Sequence, residues 1–204
     1  MTARCFTVGP LQENCWIVHG EGSDRALVVD PGDEAPRLIA ALAELGLETE
    51  AILLTHTHFD HVGAVAALAR HTGAPVYCPE LETAVLADIN RYTFQGFGPY
   101  ESYEADETIA GGERLELAGL DIDVIFTPGH SPGHVSFSIP EHDIVLSGDV
   151  LFAGSVGRTD LPGADHATLL STLPDETRVL PGHMGATTLG RERATNPFLH
   201  ELAS

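Results

Sequence analysis

The chain reads as an α/β protein of two β-sheets with helices outside, and three observations predict this. Short apolar runs alternate with segments of helical period in both halves of its 204 residues. No repeat, low-complexity tract or linker separates the halves. Groups of His and Asp follow directly after predicted strands, the place where α/β architectures carry their functional residues. With 43% hydrophobic residues, a chain of this length can bury a proper core. A single domain over residues 1–204 is therefore expected, with the sheets packed together and the helices covering them.

Taken in order, Cys15–Val18 and Ala26–Val29 are two short strands on either side of a Gly/Ser/Asp turn. Asp30-Pro31-Gly32 stops the second. Pro36 suits the first turn of a helix in which Leu38, Leu42 and Leu45 recur at helical spacing, and Gly46 ends it. Ala51–Leu54 is a buried strand, and Val62, Val65, Ala66 and Ala69 then give a helix whose small-residue face can pack close to a sheet. Pro75–Cys78 is another strand, followed by a helix over Leu81–Ala87. From Asn90 to Glu107 the pattern fails, with Tyr92, Phe94, Phe97, Tyr100 and Tyr103 scattered among Gly, Pro and acidic residues. This aromatic loop is either a lid over the core edge or a wall of a substrate cleft. The second half restarts as β, with strands at Arg114–Leu117, Asp121–Phe126, Val135–Ile139 and Ile144–Leu146, the last two joined at Pro140–Asp143. A helix from His166 to Leu173 with Asp165 as N-cap, a strand at Arg178–Leu180 and a short helix near Leu189–Arg193 complete the chain.

Composition narrows the function. Ten arginines, no lysine and thirty acidic residues give a formal charge of −20, which repels a polyanion, so nucleic acid is not an expected partner. Cys5, Cys15 and Cys78 are odd in number and lack CxxC spacing, as reduced, mostly buried thiols of a reducing cytoplasm would be. No basic apolar leader opens the sequence, and no apolar run approaches the roughly 18–20 residues of a membrane span. The expectation is a soluble cytoplasmic protein, monomer or homodimer, that acts on a small molecule without membrane contact.

The chemistry concentrates in Thr55-His56-Thr57-His58-Phe59-Asp60-His61, directly after the Ala51–Leu54 strand. In an extended backbone His56 and His58 point the same way and can share one metal. Asp60 and His61 lie where the chain turns into a helix, so they aim elsewhere and could serve a second ion. Thr127-Pro128-Gly129-His130-Ser131-Pro132-Gly133-His134, Ser147-Gly148-Asp149 and Pro181-Gly182-His183 each follow a further strand, with Gly or Pro leaving room near an ion. That many His and Asp groups exceed the four to six ligands of one metal, whereas two ions can share them, with Asp149 the natural bridge. A pair of cations polarises a bound water and makes hydroxide available at neutral pH, which points to hydrolysis of a carbonyl or phosphoryl group. Spacing leaves His130 and His134 as alternatives.

THTHFDH with TPGHSPGH, SGD and PGH resembles the metallo-β-lactamase superfamily, and the match runs over nearly the whole chain. The resemblance implies an αββα sandwich of two mixed β-sheets flanked by helices. GPLQENC, GDVLFAGSVGRTDLPG and RERATNPFL further resemble the short bacterial glyoxalase II-like hydrolases, of hydroxyacylglutathione hydrolase type. Carried over by position, the resemblance puts His56, His58 and His130 on one metal and Asp60, His61 and His183 on a second, with Asp149 bridging. Asp60 and Asp149 are then the carboxylates at the reacting centre. His134 becomes a residue that supports the site, and Asp30 is either a buttress for a ligand histidine or a turn cap. The implied cofactors are two divalent transition-metal ions, zinc first, with iron or manganese also suited to such ligands.

The activity implied is cleavage of a thioester, S-lactoylglutathione or a similar small acyl-thiol, by attack of a metal-bridging hydroxide. A thiolate of pKa about 8.5 leaves without a dedicated general acid. Arg158, in GRTD, is the candidate to meet a substrate carboxylate through its bidentate fork, the alternative being an ion pair with Asp160 or Asp165. Longer glyoxalase II enzymes carry basic glutathione-binding residues in a helical extension beyond the counterpart of NPFL, so the thiol of the substrate stays open. GRTD also resembles persulfide dioxygenases of the same superfamily, which use a single non-haem iron held by two His and one Asp. Those proteins commonly carry Cys where His134 stands, which favours the hydrolase.

Overall fold

A computed structural model describes residues 1–158 and 173–202. The first sheet is built from β1 (Thr2–Val8), β2 (Glu13–His19), β3 (Arg25–Val29), β4 (Glu48–Leu53), β5 (Val76–Pro79) and β6 (Glu107–Ile109), side by side in that order. Its first three strands are antiparallel, and β3 to β6 run parallel. The second sheet contains β7 (Arg114–Leu117), β8 (Leu120–Phe126), β9 (Val135–Ile139) and β10 (Ile144–Gly148) as an antiparallel meander. After a small hairpin of β11 (Leu151–Phe152) and β12 (Ser155–Val156), β13 (Arg178–Pro181) joins β10 in parallel and β14 (Thr187–Thr188) closes the edge. Both sheets are therefore mixed, as expected.

Strand alternation sorts the apolar residues into layers. Trp16, Val18, Leu27, Val29 and Leu53 face Ile122, Val124, Phe137, Leu146 and Leu180 between the sheets. On the other side of the first sheet, Ile17, Val28, Ile52 and Val76 pack against Leu38 and Leu42 of α1 (Ala35–Leu45) and Val65 and Leu68 of α3 (Val65–Thr72). Val145 and Val179 turn outward from the second sheet onto Leu189 of α6 (Leu189–Thr195) and Leu199 of α7 (Pro197–Leu202). The result is helix, sheet, sheet, helix. No helix among the described residues is long and apolar enough to cross a membrane.

The departures from the sequence reading have local causes. β1 was not anticipated because its residues are mostly exposed or half-buried, so it lacks an apolar run. The helix expected around Val62–Ala69 is two, α2 (Phe59–Val62) and α3. Between them a Cβ on Gly63 would lie 2.4 Å from the Gly32 carbonyl oxygen, and Ala64 donates its N–H to Pro31 O at 3.0 Å. The chain must bend there to meet the Asp30–Gly32 turn. Leu81–Ala87 begins as a 3₁₀ turn, Glu80–Glu82, before α4 (Thr83–Ala87), and a further turn, α5 (Ile89–Tyr92), enters the aromatic segment. Cys15 and Cys78 are buried thiols, whereas Cys5 is exposed on β1. The helix expected over His166–Leu173, with its Asp165 cap, falls on residues 159–172, outside the described residues apart from Leu173.

Candidate metal centre

The continuous apolar run of β4 is buried, and it delivers Thr55–His58 in extended form to the ends of both sheets. His58 keeps extended backbone angles at the start of α2, so His56 and His58 share a side, while Asp60 and His61 ride on the helical turn. His58 Nδ1 lies 3.1 Å from His56 Nε2 and 2.8 Å from His130 Nε2. His183 Nε2 lies 3.3 Å from Asp60 Oδ2. Three groups among the described residues have ligand atoms all within 4.8 Å of one another: His56/His58/His130, Asp60/His61/His183, and Asp30/His56/His61, which overlaps the other two. Asp149 stands between the first two, 3.4 Å from His61 Nε2, 3.4 Å from His130 Nε2 and 3.6 Å from His183 Nε2. The structure thus brings together all seven residues singled out as metal ligands.

Proton positions follow from the outer hydrogen bonds. The Thr55 hydroxyl donates to Asp30 Oδ2 at 2.7 Å, so it can only accept from His56 Nδ1, at 3.0 Å. His130 Nδ1 donates to the Arg158 carbonyl oxygen at 3.1 Å. Both residues are left with a lone pair on Nε2, and both lone pairs face His58 Nδ1, which can carry only one proton. A cation satisfies all three nitrogens; a proton satisfies one pair. His61 Nδ1 donates to Asp30 Oδ2 at 3.1 Å, and its Nε2 and Asp149 Oδ1 are buried without a hydrogen-bond partner. Buried polar atoms without partners are costly, and a cation between these two would satisfy them.

The electrostatics divide the two groups. Burial, reinforced by the neighbouring imidazoles, holds His56 well below its ordinary pKa and brings His58 down to about 4, so these stay neutral and available as ligands. Burial opposes charge on His61 too, but Asp149 and Asp30 beside it outweigh that and hold it well above its ordinary value. Asp149 is equally buried, yet His61, His183 and His130 hold its carboxyl below the usual carboxylate range.

Surrounding contacts fix the loops that carry these groups. Asp30, with φ of 50°, accepts the Thr55 N–H at 2.8 Å as well as the Thr55 hydroxyl and His61, so it buttresses a histidine and holds the start of the Thr55–His61 stretch. His134 has both ring nitrogens engaged: Nε2 accepts the Asp149 backbone N–H at 3.1 Å and Nδ1 contacts the Thr127 hydroxyl at 2.9 Å. It holds Asp149 in place and has no lone pair to spare. Asn14 of GPLQENC donates to Pro181 O at 3.2 Å and Met184 O at 2.8 Å, which clamps the turn bearing His183. Glu82 accepts from the Thr57 hydroxyl at 2.7 Å and the Gly133 N–H at 2.8 Å, so it ties the two histidine loops together. Neither Asn14 nor Glu82 was singled out from the sequence. Glu13 was likewise missed; burial raises its carboxyl well above the usual range, and it sits 3.9 Å from His61 Nδ1 with neither oxygen hydrogen-bonded.

Gly182 makes the close approach of β13 to the centre physically workable. A Cβ there would fall 2.4 Å from Asp149 Oδ1 and 2.6 Å from His61 Cε1. Gly182→Ala should therefore displace both side chains and lower metal affinity by about 10-fold or more, with the fold retained. Titration of metal into the purified variant, alongside circular dichroism, checks this; unchanged affinity would show that the turn yields freely.

Arg158 is exposed on the rim of a cavity of ≈ 380 Å³ that His58, Asp60, His130 and Asp149 also line. Its proposed alternative partners, Asp160 and Asp165, lie outside the described residues. Arg193, another cation near the C-terminus, pairs with Asp175 and donates to Leu173 O at 2.7 Å.

An αββα sandwich with clustered His and Asp at its strand ends is the architecture of a metallo-hydrolase. The chain belongs to the metallo-β-lactamase superfamily, whose family model matches residues 8–183. It is 40% identical to a probable metallo-hydrolase, YqgX, of Bacillus subtilis, over 98% of each chain. It is 36% identical to the hydroxyacylglutathione hydrolase GloC of Haemophilus influenzae, over 98% of this chain and 99% of that one. Among solved structures, the BLEG-1 B3 metallo-β-lactamase superposes with a TM-score of 0.87 at 38% identity, covering 97% of this chain and 99% of that one. TTHA1623 in a di-iron-bound form gives 0.77 at 45% identity, covering 96% and 100%. ETHE1 from Myxococcus xanthus gives 0.77 at 26% identity, covering 98% and 85%.

Proposed function

We propose that the protein is a thioesterase with two divalent metal ions, zinc first, acting on S-lactoylglutathione or a similar small acyl-thiol. The observation that carries this is the convergence of seven His and Asp side chains in which His61 Nε2 and Asp149 Oδ1 are buried and unpartnered. His56, His58 and His130 would hold one ion, and Asp60, His61 and His183 the other, with Asp149 shared. Bound there, the ions would lower the pKa of a coordinated water from about 16 to about 7 and so supply hydroxide at neutral pH.

The chain's own groups do the rest. Asp30, the Thr55 hydroxyl and the Arg158 carbonyl keep the outward nitrogens of His61, His56 and His130 protonated, so each ring presents its other nitrogen to the centre. Arg158 stands at the cavity rim, where its fork can take a substrate carboxylate. No Lys is present to protonate a leaving group, and a thiolate of pKa about 8.5 needs none. The similarity to a hydroxyacylglutathione hydrolase supports the thioester reading.

The deciding assay runs S-lactoylglutathione, followed by thioester loss, beside glutathione persulfide, followed by oxygen uptake. Thioester cleavage with about two transition-metal ions per chain is expected. One tightly bound iron, with oxygen consumed and the thioester untouched, would hand the function to the persulfide dioxygenase reading.

A further inference from the structure

Leu11, Tyr92 and Phe94 are 42%, 47% and 67% exposed, and all three line the cavity that contains His58, Asp60, His130 and Asp149. Single exposed apolar residues are ordinary on a protein surface. These three come from two separate segments, the turn after β1 and the stretch at the end of α5, and they converge on the reacting centre. Phe59 joins wall to centre: it is 4% exposed, it immediately precedes Asp60, and the Phe94 ring meets it edge-on with centroids 5.7 Å apart. Behind it, Phe97 at 4.9 Å and Tyr100 at 5.9 Å support the same ring. The cavity therefore has one polar wall that does chemistry and one apolar wall large enough for a ring. Concave sites of this build bind ligands with a matching apolar part. Among the described lining residues the cation is Arg158, and the chain's charge of −20 disfavours a thiol bearing several phosphates.

We infer that Leu11, Tyr92 and Phe94 form a subsite for a ring-sized apolar group of the substrate, borne on its acyl or its thiol side. The substrate class is then a thioester that carries a ring-sized apolar group on one side, which narrows the small acyl-thiols proposed above and makes the ring-free lactoyl ester a poorer member of them. This inference rests on the hydrolase reading and leaves its reaction unchanged. Water adds to the carbonyl carbon, the C–S bond breaks with its electron pair going to sulfur, and a carboxylic acid and a thiol result.

Two matched pairs test it on the metal-loaded protein. S-phenylacetylglutathione against S-acetylglutathione varies the acyl side, and S-benzyl thioacetate against S-ethyl thioacetate varies the thiol side. In at least one pair the ring-bearing ester should show kcat/KM roughly 10-fold higher or more, and the responsive pair identifies the side. Phe94→Ala and Tyr92→Ala should each reduce that preference several-fold. Leu81→Ala, which removes an exposed leucine outside this cavity, should not. Equal rates in both pairs, or a preference that survives both aromatic substitutions, would overturn the subsite. If no thioester is cleaved, the hydrolase reading falls, and calorimetry with the uncleavable S-benzylglutathione and S-methylglutathione decides the subsite separately. Tighter binding of the benzyl compound that Phe94→Ala weakens upholds it, and equal or absent binding of the two refutes it.

Discussion

Asp149→Asn should drain the centre of metal and stop turnover while leaving a folded protein. Asp149 is the group placed between both histidine clusters, within 3.6 Å of His61, His130 and His183, and its Oδ1 has no partner of its own. The substitution keeps the shape but removes the charge and turns one ligand oxygen into an amide nitrogen, which cannot bind a cation. That nitrogen can donate to a neutral imidazole, and the backbone bond from residue 149 to His134 does not involve the side chain. The expected result is a fall from the proposed two ions per chain to one or fewer. Turnover should fall more than about 100-fold, with the circular dichroism spectrum unchanged. Metal analysis and thioester assays on the same preparation read both. Undiminished turnover would take Asp149 out of the shared position.

The parts of the centre that were legible in the sequence are those with local signals. An apolar strand followed by His-x-His-x-Asp-His constrains where side chains can go, because β4 is buried and period two then puts His56 beside His58. Gly148 and Gly182 mark close approaches for the same reason, since a Cβ at either would clash within the centre. Spacing could not separate His130 from His134, because both follow the same strand. What distinguishes the two is mainly partners distant in sequence, His58 and Arg158 for His130 and Asp149 for His134. Asn14 acts on residues 167 and 170 positions away, and no local pattern announces such a contact. The aromatic segment divides between two surroundings. Phe97 and Tyr100 pack on Phe59 and the core edge, whereas Tyr92 and Phe94 line the cavity.

Glu82→Ala should be among the most damaging substitutions outside the ligands themselves. The Glu82 carboxylate is 3% exposed and accepts from two donors on different halves of the chain, the Thr57 hydroxyl and the Gly133 N–H. Thr57 lies between His56 and His58, and Gly133 lies between His130 and His134. Gly133 is itself pressed against this side chain, since a Cβ there would come within 2.7 Å of Glu82 Cγ. Removing the carboxylate leaves the Gly133 N–H unpaired and the Thr57 hydroxyl with only the Glu82 carbonyl oxygen at 3.5 Å, and at about 1–3 kcal/mol for each donor a loss of roughly 2–6 kcal/mol is expected on unfolding by denaturant. That is a large part of the roughly 5–15 kcal/mol that typically holds a domain folded. Because the same bonds align the two histidine loops, metal affinity should fall with stability. Glu82→Gln separates the two effects: its oxygen can satisfy one donor while its amide faces the other, so an intermediate loss is expected in both measurements. A double-mutant cycle with Thr57→Val should return a coupling energy of about 0.5–3 kcal/mol. A coupling near zero, with metal binding intact in Glu82→Ala, would mean that each loop is held by its own strand and that the carboxylate merely fills space between them.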